Sequence, residues 1–383
     1  MRYIVLGAGR QGLAIAYDLA HSGEARGITL VDSDEKAVRK GAARLRKLVR
    51  GVRFVPIAQR LSGRGAVGLL RGHAVAVSAL PYPLNPALAR ASVRAGVSFC
   101  DLGGNTALVR EVLALDGEAR AAGVTLVPDC GLAPGLGNVL ASMGIREVPG
   151  ARHVRIRCGG LPVAPRGPLR YSLLFSIGGL TNEYTGEAVV LRDGKLLKLE
   201  AFTECEPFRG PRALGRLEAF LTSGGTSTAP WTYRGKLETY DYKTVRYAGH
   251  FSKVRAMIDL GLLSLEPVRV GRAQVVPREF FHVVAGPQLE EPGVRDLALL
   301  FVEVRDATGR GVRYRMLEYH DPVTGFTAME RTTGYPTAAI AHALARGELS
   351  PGAVTPERAG LGKSHLRALR RRGLAIRRER LTP

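Results

Sequence analysis

The spacing of apolar positions changes once, sharply, along this chain of 383 residues. Residues 1–132 alternate short Val/Ile/Ala/Leu runs with longer Ala/Leu/Arg-rich stretches of helical period. The runs fall at 2–6, 28–32, 52–56, 74–79, 97–101 and 124–128, and the helical stretches at about 12–22, 34–48, 61–71, 84–95 and 106–122. Runs that are apolar throughout are what strands become when both faces of a sheet are covered. The pattern predicts a doubly wound parallel sheet of six strands, with ligands at the carboxyl ends of the strands. After Pro134 the runs become β-branched and separated by glycine turns. VRIRCGG, KLLKLEAF, YKTVRYAGH, LALLFVEV, VRYRMLEYH and GFTAMERTT read as strands of a mixed or antiparallel sheet, with helical period only near 250–263 and at 335–347. The class is α/β with a second α+β domain. The predicted units are a dinucleotide-binding unit at 1–132, a substrate and oligomerisation unit at 133–325, and a region at 326–383 whose helix returns to the first unit and is followed by a basic tail.

Gly7, Gly9 and Gly12 follow the first apolar run directly and open the first helical stretch. That strand–turn–helix setting is where G-x-G-x-x-G signifies a Rossmann dinucleotide site. Gly7 suits the tight turn, Gly9 lets backbone reach a pyrophosphate, and Gly12 lets helix approach strand. The helix start offers unpaired N–H groups to phosphate. Arg10, inside the motif, is placed to touch phosphate or stands solvated. Asp32 ends the second run, where an acid takes the ribose hydroxyls and repels a 2′-phosphate, so NAD is the expected cofactor. Ser78 and Leu80, leaving the fourth run, are expected beside the nicotinamide.

The formal charge of +21 attracts anions. Much of the excess gathers at the end, between Lys363 and Arg380, without interleaved aromatics on which bases would stack. A solvated helix face with a frayed tail, dispensable for chemistry, is expected there, and nucleic acid is not the expected partner. Cys100, Cys130, Cys158 and Cys205 show no metal-ligand spacing, so no metal is expected and free thiols are the default. No segment has the length and apolarity of a membrane span. The first apolar run reads as a strand with no basic region before it, so a cytoplasmic protein is expected.

Four clusters fall near the predicted cleft. The first leaves the fourth run at Ser78. The second is Cys100-Asp101-Leu102-Gly103-Gly104, where Asp101 ends a central strand and is a candidate base. The third, Asp129-Cys130-Gly131-Leu132-Ala133-Pro134, is a crossover. The fourth runs from Glu218 to His250 and contains a hydroxyl-rich glycine loop, Thr222 to Thr228, that lacks the ending of a phosphate loop. Period two puts Tyr242, Thr244, Arg246 and His250 on one face, with Asp241, Lys243, Val245 and Tyr247 on the other. Both faces are polar, so one is expected to line a cavity. Arg246 suits a carboxylate held through paired hydrogen bonds.

Together VLGAG with Gly12, DLGG, VPDCGLAPG, EAFLTSGGTST, YKTVRYAGH and TAMERTTGY resemble the saccharopine dehydrogenase-like family, most closely its branch that deaminates the ε-carbon of L-lysine. The resemblance covers nearly the whole chain, weakly over about 261 to 300. It implies that NAD takes a hydride from C6, water displaces ammonia, and the semialdehyde cyclises to a piperideine carboxylate. Arg246 and the Thr226 hydroxyl would then anchor the substrate carboxylate, with His250 near it. Asp101, Tyr242 and Thr244 would position amine and water. Two other readings are a reductive saccharopine- or carboxynorspermidine-forming enzyme and a basic NAD- or nucleic-acid-binding module without turnover. The architecture also implies a homodimer.

Overall fold

The computed structural model describes every residue except Gly23. The first part runs β1 (Arg2–Leu6), α1 (Arg10–His21), β2 (Gly27–Asp32), α2 (Glu35–Leu48), β3 (Arg53–Ala58), α3 (Gly63–Leu70), β4 (Val75–Ser78), α4 (Asn85–Ala95), β5 (Ser98–Asp101), α5 (Thr106–Leu113), α6 (Asp116–Ala121) and β6 (Thr125–Val127). Then come α7 (Gly137–Glu147), β7 (Ala151–Pro162), α8 (Ile177–Tyr184), β8 (Glu187–Arg192), β9 (Lys195–Glu200), β10 (Glu206–Phe208), β11 (Leu217–Leu221), α9 (Ala229–Tyr233), β12 (Thr239–Tyr247) and α10 (His250–Asp259). The chain ends with β13 (Val268–Val270), β14 (Ala273–Val275), α11 (Pro277–Leu289), β15 (Asp296–Asp306), β16 (Gly311–Tyr319), α12 (Ala328–Ala345), β17 (Gly352–Ala353), α13 (Lys363–Arg371) and β18 (Arg377–Leu381).

The first sheet is parallel, in the order β17-β6-β5-β4-β1-β2-β3. Its six main strands are those expected, and their order reverses between β1 and β4, the switch point where such sheets bind ligands. The short β17, an addition from the far end of the chain, pairs with β6. The central strands β1 and β4 are buried almost end to end, which explains their unbroken apolar runs. The second sheet is mixed, ordered β10-β11-β12-β7-β15-β16-β18, with the β8–β9 hairpin joined to β12. No helix among the described residues is long and apolar enough to cross a membrane.

Two expectations are corrected here. GFTAMERTT is not a strand: Ala328 begins the 18-residue helix α12. Thr327 caps it, accepting from the Glu330 N–H at 3.1 Å while Glu330 accepts from the Thr327 N–H at 2.9 Å. The T-x-x-E signature was present in the sequence, but Pro336 inside the helix made its first half look separate. Asp296, at the start of β15, adds carboxylate bonds to the N–H groups of Ala328 and Met329 at 2.6 and 2.9 Å. The helix lies along α1, where Gly334 lets the two approach: a Cβ there would stand 2.9 Å from Ala14 Cβ.

The basic end is not a frayed tail either. Leu366, Leu369, Leu374 and Ile376 are buried in the main core, β18 pairs with β16, and Arg372 Nε meets the buried Asp18 at 2.7 Å. Its amphipathic pattern has an apolar side that the surrounding arginines hide in the sequence. Full burial is worth about 1.5–3 kcal/mol per aliphatic side chain. Four such losses rival a domain's net stability of about 5–15 kcal/mol. Deleting residues 363–383 should therefore yield a chain that melts far below the parent or fails to fold, as circular dichroism on heating would show. A deleted chain with the parent's melting temperature would contradict this.

Candidate active site

A cleft of about 1000 Å³ opens at the carboxyl ends of β1, β4 and β5. Its near wall holds Gly9, Arg10, Leu80 and the Leu102–Gly104 turn. Its far wall is built from α8, α11, Tyr242 and the loop Ser223–Gly225.

The cofactor end matches the glycine motif in detail. Gly7 turns with φ of +104°, and a Cβ on Gly12 would lie 1.9 Å from the Gly7 carbonyl oxygen, so any side chain there would force helix from strand. A Cβ on Gly9 would meet nothing within 4 Å, which leaves open space beside the first turn of α1. The free N–H groups of that turn and the positive helix end suit a pyrophosphate. The Asp32 carboxylate accepts from the Ala8 N–H at 2.7 Å and the Asp34 N–H at 3.0 Å, which holds it at the end of β2. Arg10 donates to the Leu173 carbonyl at 3.1 Å, bridging to the second part of the chain. Leu80 lines the cleft. Ser78 does not: it is buried, and its hydroxyl donates to Asn85 Oδ1 at 2.8 Å, tying β4 to the helix after it.

Sequence reasoning missed the principal charged group in the substrate half of the cleft. Glu183 stands on the last turn of α8 and lines the cleft beside Asn182 and Tyr242. Among the described residues none hydrogen-bonds its carboxylate. Enclosure in the protein raises its carboxyl pKa to about 7, with Arg246 holding it from rising further. The segment around it, LTNEYT, looked like a polar turn; only the placement of α8 over the cleft distinguishes Glu183 from a surface acid. Asn182 Nδ2 donates to the Tyr82 hydroxyl at 2.9 Å, and Arg278 donates to Asn182 Oδ1 at 3.2 Å, which fixes this wall.

Tyr242, Thr244 and Arg246 do share one face of β12, but only Tyr242 reaches the cleft. Its ring lies on Gly225, where a Cβ would fall 2.2 Å from the ring. This contact gives the glycine loop its role as a support. Burial pushes the Tyr242 phenol well above its ordinary pKa, so it stays protonated. Thr244 is buried, with Thr222 Oγ1 at 2.7 Å and the Tyr242 hydroxyl at 3.3 Å. On the opposite face Asp241 and Lys243 enter ion pairs, Arg157 to Asp241 at 2.6 Å and Lys243 to Glu206 at 2.9 Å. Both faces were polar because one carries Tyr242 to the cleft with Thr244 and Arg246 buried behind it, and the other holds Asp241 and Lys243 in ion pairs.

Arg246, Thr226 and His250 are not arranged as an open carboxylate anchor. Arg246 is 2% exposed and does not line the cleft. Its Nε donates to the Tyr184 hydroxyl at 3.1 Å, its Nη1 to the Val245 carbonyl at 3.1 Å, and the guanidinium carbon stands 4.7 Å from the Tyr171 ring centre. His250 starts α10 rather than extending β12. Its Nδ1 faces the Leu169 carbonyl at 3.0 Å, an acceptor only, so Nδ1 carries the proton and Nε2 accepts from the Tyr184 hydroxyl at 3.0 Å. Burial and Arg246 lower its pKa to about 3, leaving it neutral. The Thr226 hydroxyl is spent on the Val189 carbonyl at 2.8 Å. Parity along β12 groups Tyr242 with Arg246 but carries no information on burial: the guanidinium is bonded to Tyr184 and is absent from the cleft lining.

Asp101 is also behind the wall. It is 1% exposed, and Oδ1 accepts from the N–H groups of Gly103 at 2.7 Å and Asp129 at 3.2 Å. Burial raises its pKa to about 6. Asp129 is buried with φ of +61° and bonds the Ser227 hydroxyl. A Cβ on Gly103 would fall 1.6 Å from Asp129 Oδ1 and one on Gly104 2.8 Å from the Tyr82 ring, so the first glycine after β5 makes room for this acid and the second for Tyr82. The two acids join turn, crossover and glycine loop. Cys100, Cys130 and Cys158 are buried, and all four cysteines are free.

Known proteins align with both halves. Residues 3–127 match the saccharopine dehydrogenase NADP binding domain, and residues 131–374 the saccharopine dehydrogenase C-terminal domain. The mitochondrial α-aminoadipic semialdehyde synthase of Bos taurus is 29% identical over 202 residues, 49% of this chain and 21% of the bovine protein. The saccharopine dehydrogenase (NADP(+), L-glutamate-forming) of Pyricularia oryzae is 27% identical over 205 residues, 51% of this chain and 44% of the fungal one. The matches thus span less than half the length of these curated relatives. The apo saccharopine dehydrogenase (L-Glu forming) of Saccharomyces cerevisiae shares the fold across 100% of both chains, with a TM-score of 0.79 at 18% identity. With its nucleotide-binding half and its larger second half both matched, the chain belongs to the saccharopine dehydrogenase family.

Proposed function

We propose that this protein oxidatively deaminates the ε-amino group of L-lysine, or of a close amino-acid analogue, with NAD. The observation that carries this reading is the charge of the cleft lining. Its substrate half presents the carboxylates of Glu183 and Glu290, while Arg10, its one lining arginine among the described residues, sits in the glycine motif at the cofactor end. A cationic amine suits that half. Saccharopine, with three carboxylates, calls for cations the lining does not offer.

When bound, the nicotinamide cofactor accepts a hydride. The chain's own residues do the rest. Glu183 receives the ammonium and takes its proton; against an amine pKa of roughly 10.4, a carboxyl of about 7 is a better base than one in the ordinary range. Removal of the proton and of hydride from C6 leaves an iminium. Water held at the Tyr242 hydroxyl attacks the iminium carbon. Glu183, once its first proton has passed to solvent, takes the water's proton and returns it to the nitrogen. The C–N bond breaks, ammonia departs, and the semialdehyde cyclises with loss of water. Asp101, Thr244 and Arg246 support these groups from behind.

A second reading, oxidative cleavage or synthesis of saccharopine, is favoured by the size of the cleft, which exceeds what lysine and nicotinamide need. Following cofactor reduction with L-lysine, L-ornithine and saccharopine separates the two. Lysine should be turned over best; saccharopine faster than lysine would replace the first reading by the second, and no turnover of any of them would end both. Asp32→Ala should weaken NAD use and relax discrimination against NADP, because the carboxylate that meets the ribose is gone. Equal or better kcat/KM with NADP in the parent protein would overturn the cofactor assignment.

A further inference from the structure

Given that Glu183 receives the ε-amine, as proposed above, we infer that α8 measures the length of the substrate. Its first turn holds the carboxylate while Glu183, on its last turn, holds the amine. The cleft thereby selects amino acids whose amine stands on the sixth carbon.

One side of α8 forms a wall of the cleft from end to end. Ser176, Gly178, Gly179, Asn182 and Glu183 all line it, at the three- and four-residue spacing of a single helix face. The two ends of that face suit opposite charges. At the start Ser176 caps the helix, its Oγ accepting from the Gly179 N–H at 3.1 Å. The Ser176 hydroxyl proton and the N–H groups of Ile177 and Gly178 have no acceptor among the described residues. These are donors for a carboxylate, set at the positive end of the helix dipole. A Cβ on Gly178 would meet nothing within 4 Å, so open space lies beside them. At the other end stands the enclosed Glu183, whose carboxylate no group among the described residues bonds. An enclosed carboxylate without a partner calls for a cation. The cofactor's phosphates have the first turn of α1, which leaves the start of α8 to the substrate.

The spacing of the two ends fits lysine. From Ser176 to Glu183 the axis advances seven residues, about 10 Å at roughly 1.5 Å each. Helical side chains lean toward the N-terminus, which brings the Glu183 carboxylate nearer to the first turn than its Cα. Extended lysine spans six bonds of about 1.5 Å from carboxyl carbon to amine, roughly 7–8 Å along the zigzag. Lying beside the helix, it meets both ends at once. Ornithine is one methylene, roughly 1 Å, shorter, and gives up hydrogen-bonding distance at one end.

Calorimetry on the full chain loaded with NADH, which cannot accept a hydride, tests this without turnover. The probes are 5-aminopentanoate, 6-aminohexanoate, 7-aminoheptanoate and pentane-1,5-diamine. Among the three amino acids 6-aminohexanoate should bind tightest, by several-fold. Ser176→Asp keeps a good helix cap but sets a negative charge where the carboxylate sits. It should weaken 6-aminohexanoate by roughly ten- to a hundredfold, while the diamine binds as in the parent or tighter and NADH affinity holds. Equal binding of the three lengths would overturn the proposal, as would 6-aminohexanoate binding untouched by Ser176→Asp. Loss of NADH affinity in that variant would give the start of α8 to the cofactor and overturn it too. The length preference in a protein that does not oxidise lysine would end the proposed deamination and leave the ruler standing. Lysine oxidised by a protein that binds all three lengths alike would end the ruler alone.

Discussion

Replacing Glu183 by Gln should lower kcat for the amine by roughly a hundred- to ten-thousandfold, the usual worth of a positioned acid or base. Cofactor affinity should stay unchanged, because Glu183 lies in the substrate half of the cleft. The parent's rate should rise with pH through about 7 and then level, since the carboxyl must be ionised to accept a proton and its pKa is raised to that value. Glutamine has no such titration, so the rise should vanish in the variant. The amide keeps the shape and hydrogen-bonding reach of the acid, so the wall should stand in the variant; a matching melting temperature checks this. Full turnover in Glu183→Gln, or a parent profile without an acid limb near neutrality, would remove Glu183 from the chemistry.

Replacing Arg246 by Met should fail differently. The guanidinium is buried, bonded to Tyr184 and to backbone carbonyls, and stacked near Tyr171. Removing it takes the donor from the buried Tyr184 hydroxyl and from backbone carbonyls, at about 1–3 kcal/mol for each group left unsatisfied. A large fall in melting temperature is therefore expected. Arg246 also holds the Glu183 carboxyl down, so in any variant that folds the acid limb should move to higher pH. Arg246→Lys keeps charge without the planar fork and should restore part of the pH profile but little of the packing. The sequence-based role, an open anchor for the substrate carboxylate, requires the opposite: a raised KM at an unchanged melting temperature. Thermal unfolding and the pH dependence of kcat/KM, measured on the same two variants, decide between them.

The first sheet was legible because its information is local. A strand buried on both faces must be apolar throughout, a crossover helix must show its period, and Gly7, Gly9, Gly12 and Asp32 must occupy set places in one strand–turn–helix unit. The motif carried the cofactor end for the same reason. Parity along β12 likewise grouped Tyr242, Thr244 and Arg246 correctly. Less local features were lost. GFTAMERTT mimicked a strand because a helix buried on most sides has little amphipathic contrast, and its cap needs Asp296 from another element. The basic end looked unstructured because arginines surround the few apolar residues that dock.

By itself, then, the sequence determined the alternating sheet, its switch point and the phosphate turn, all set by backbone geometry within a few neighbouring residues. Tertiary structure alone decided which polar groups meet open space. Asp101 and Arg246 carry the right chemistry at plausible strand positions, yet both are buried, Asp101 bonded to the Gly103 N–H and Arg246 to the Tyr184 hydroxyl. Glu183, in an unremarked polar stretch, takes the exposed place because α8 is laid across the cleft. Burial, and the pKa it imposes, depends on every segment that packs around a group, and those segments are far away in the chain.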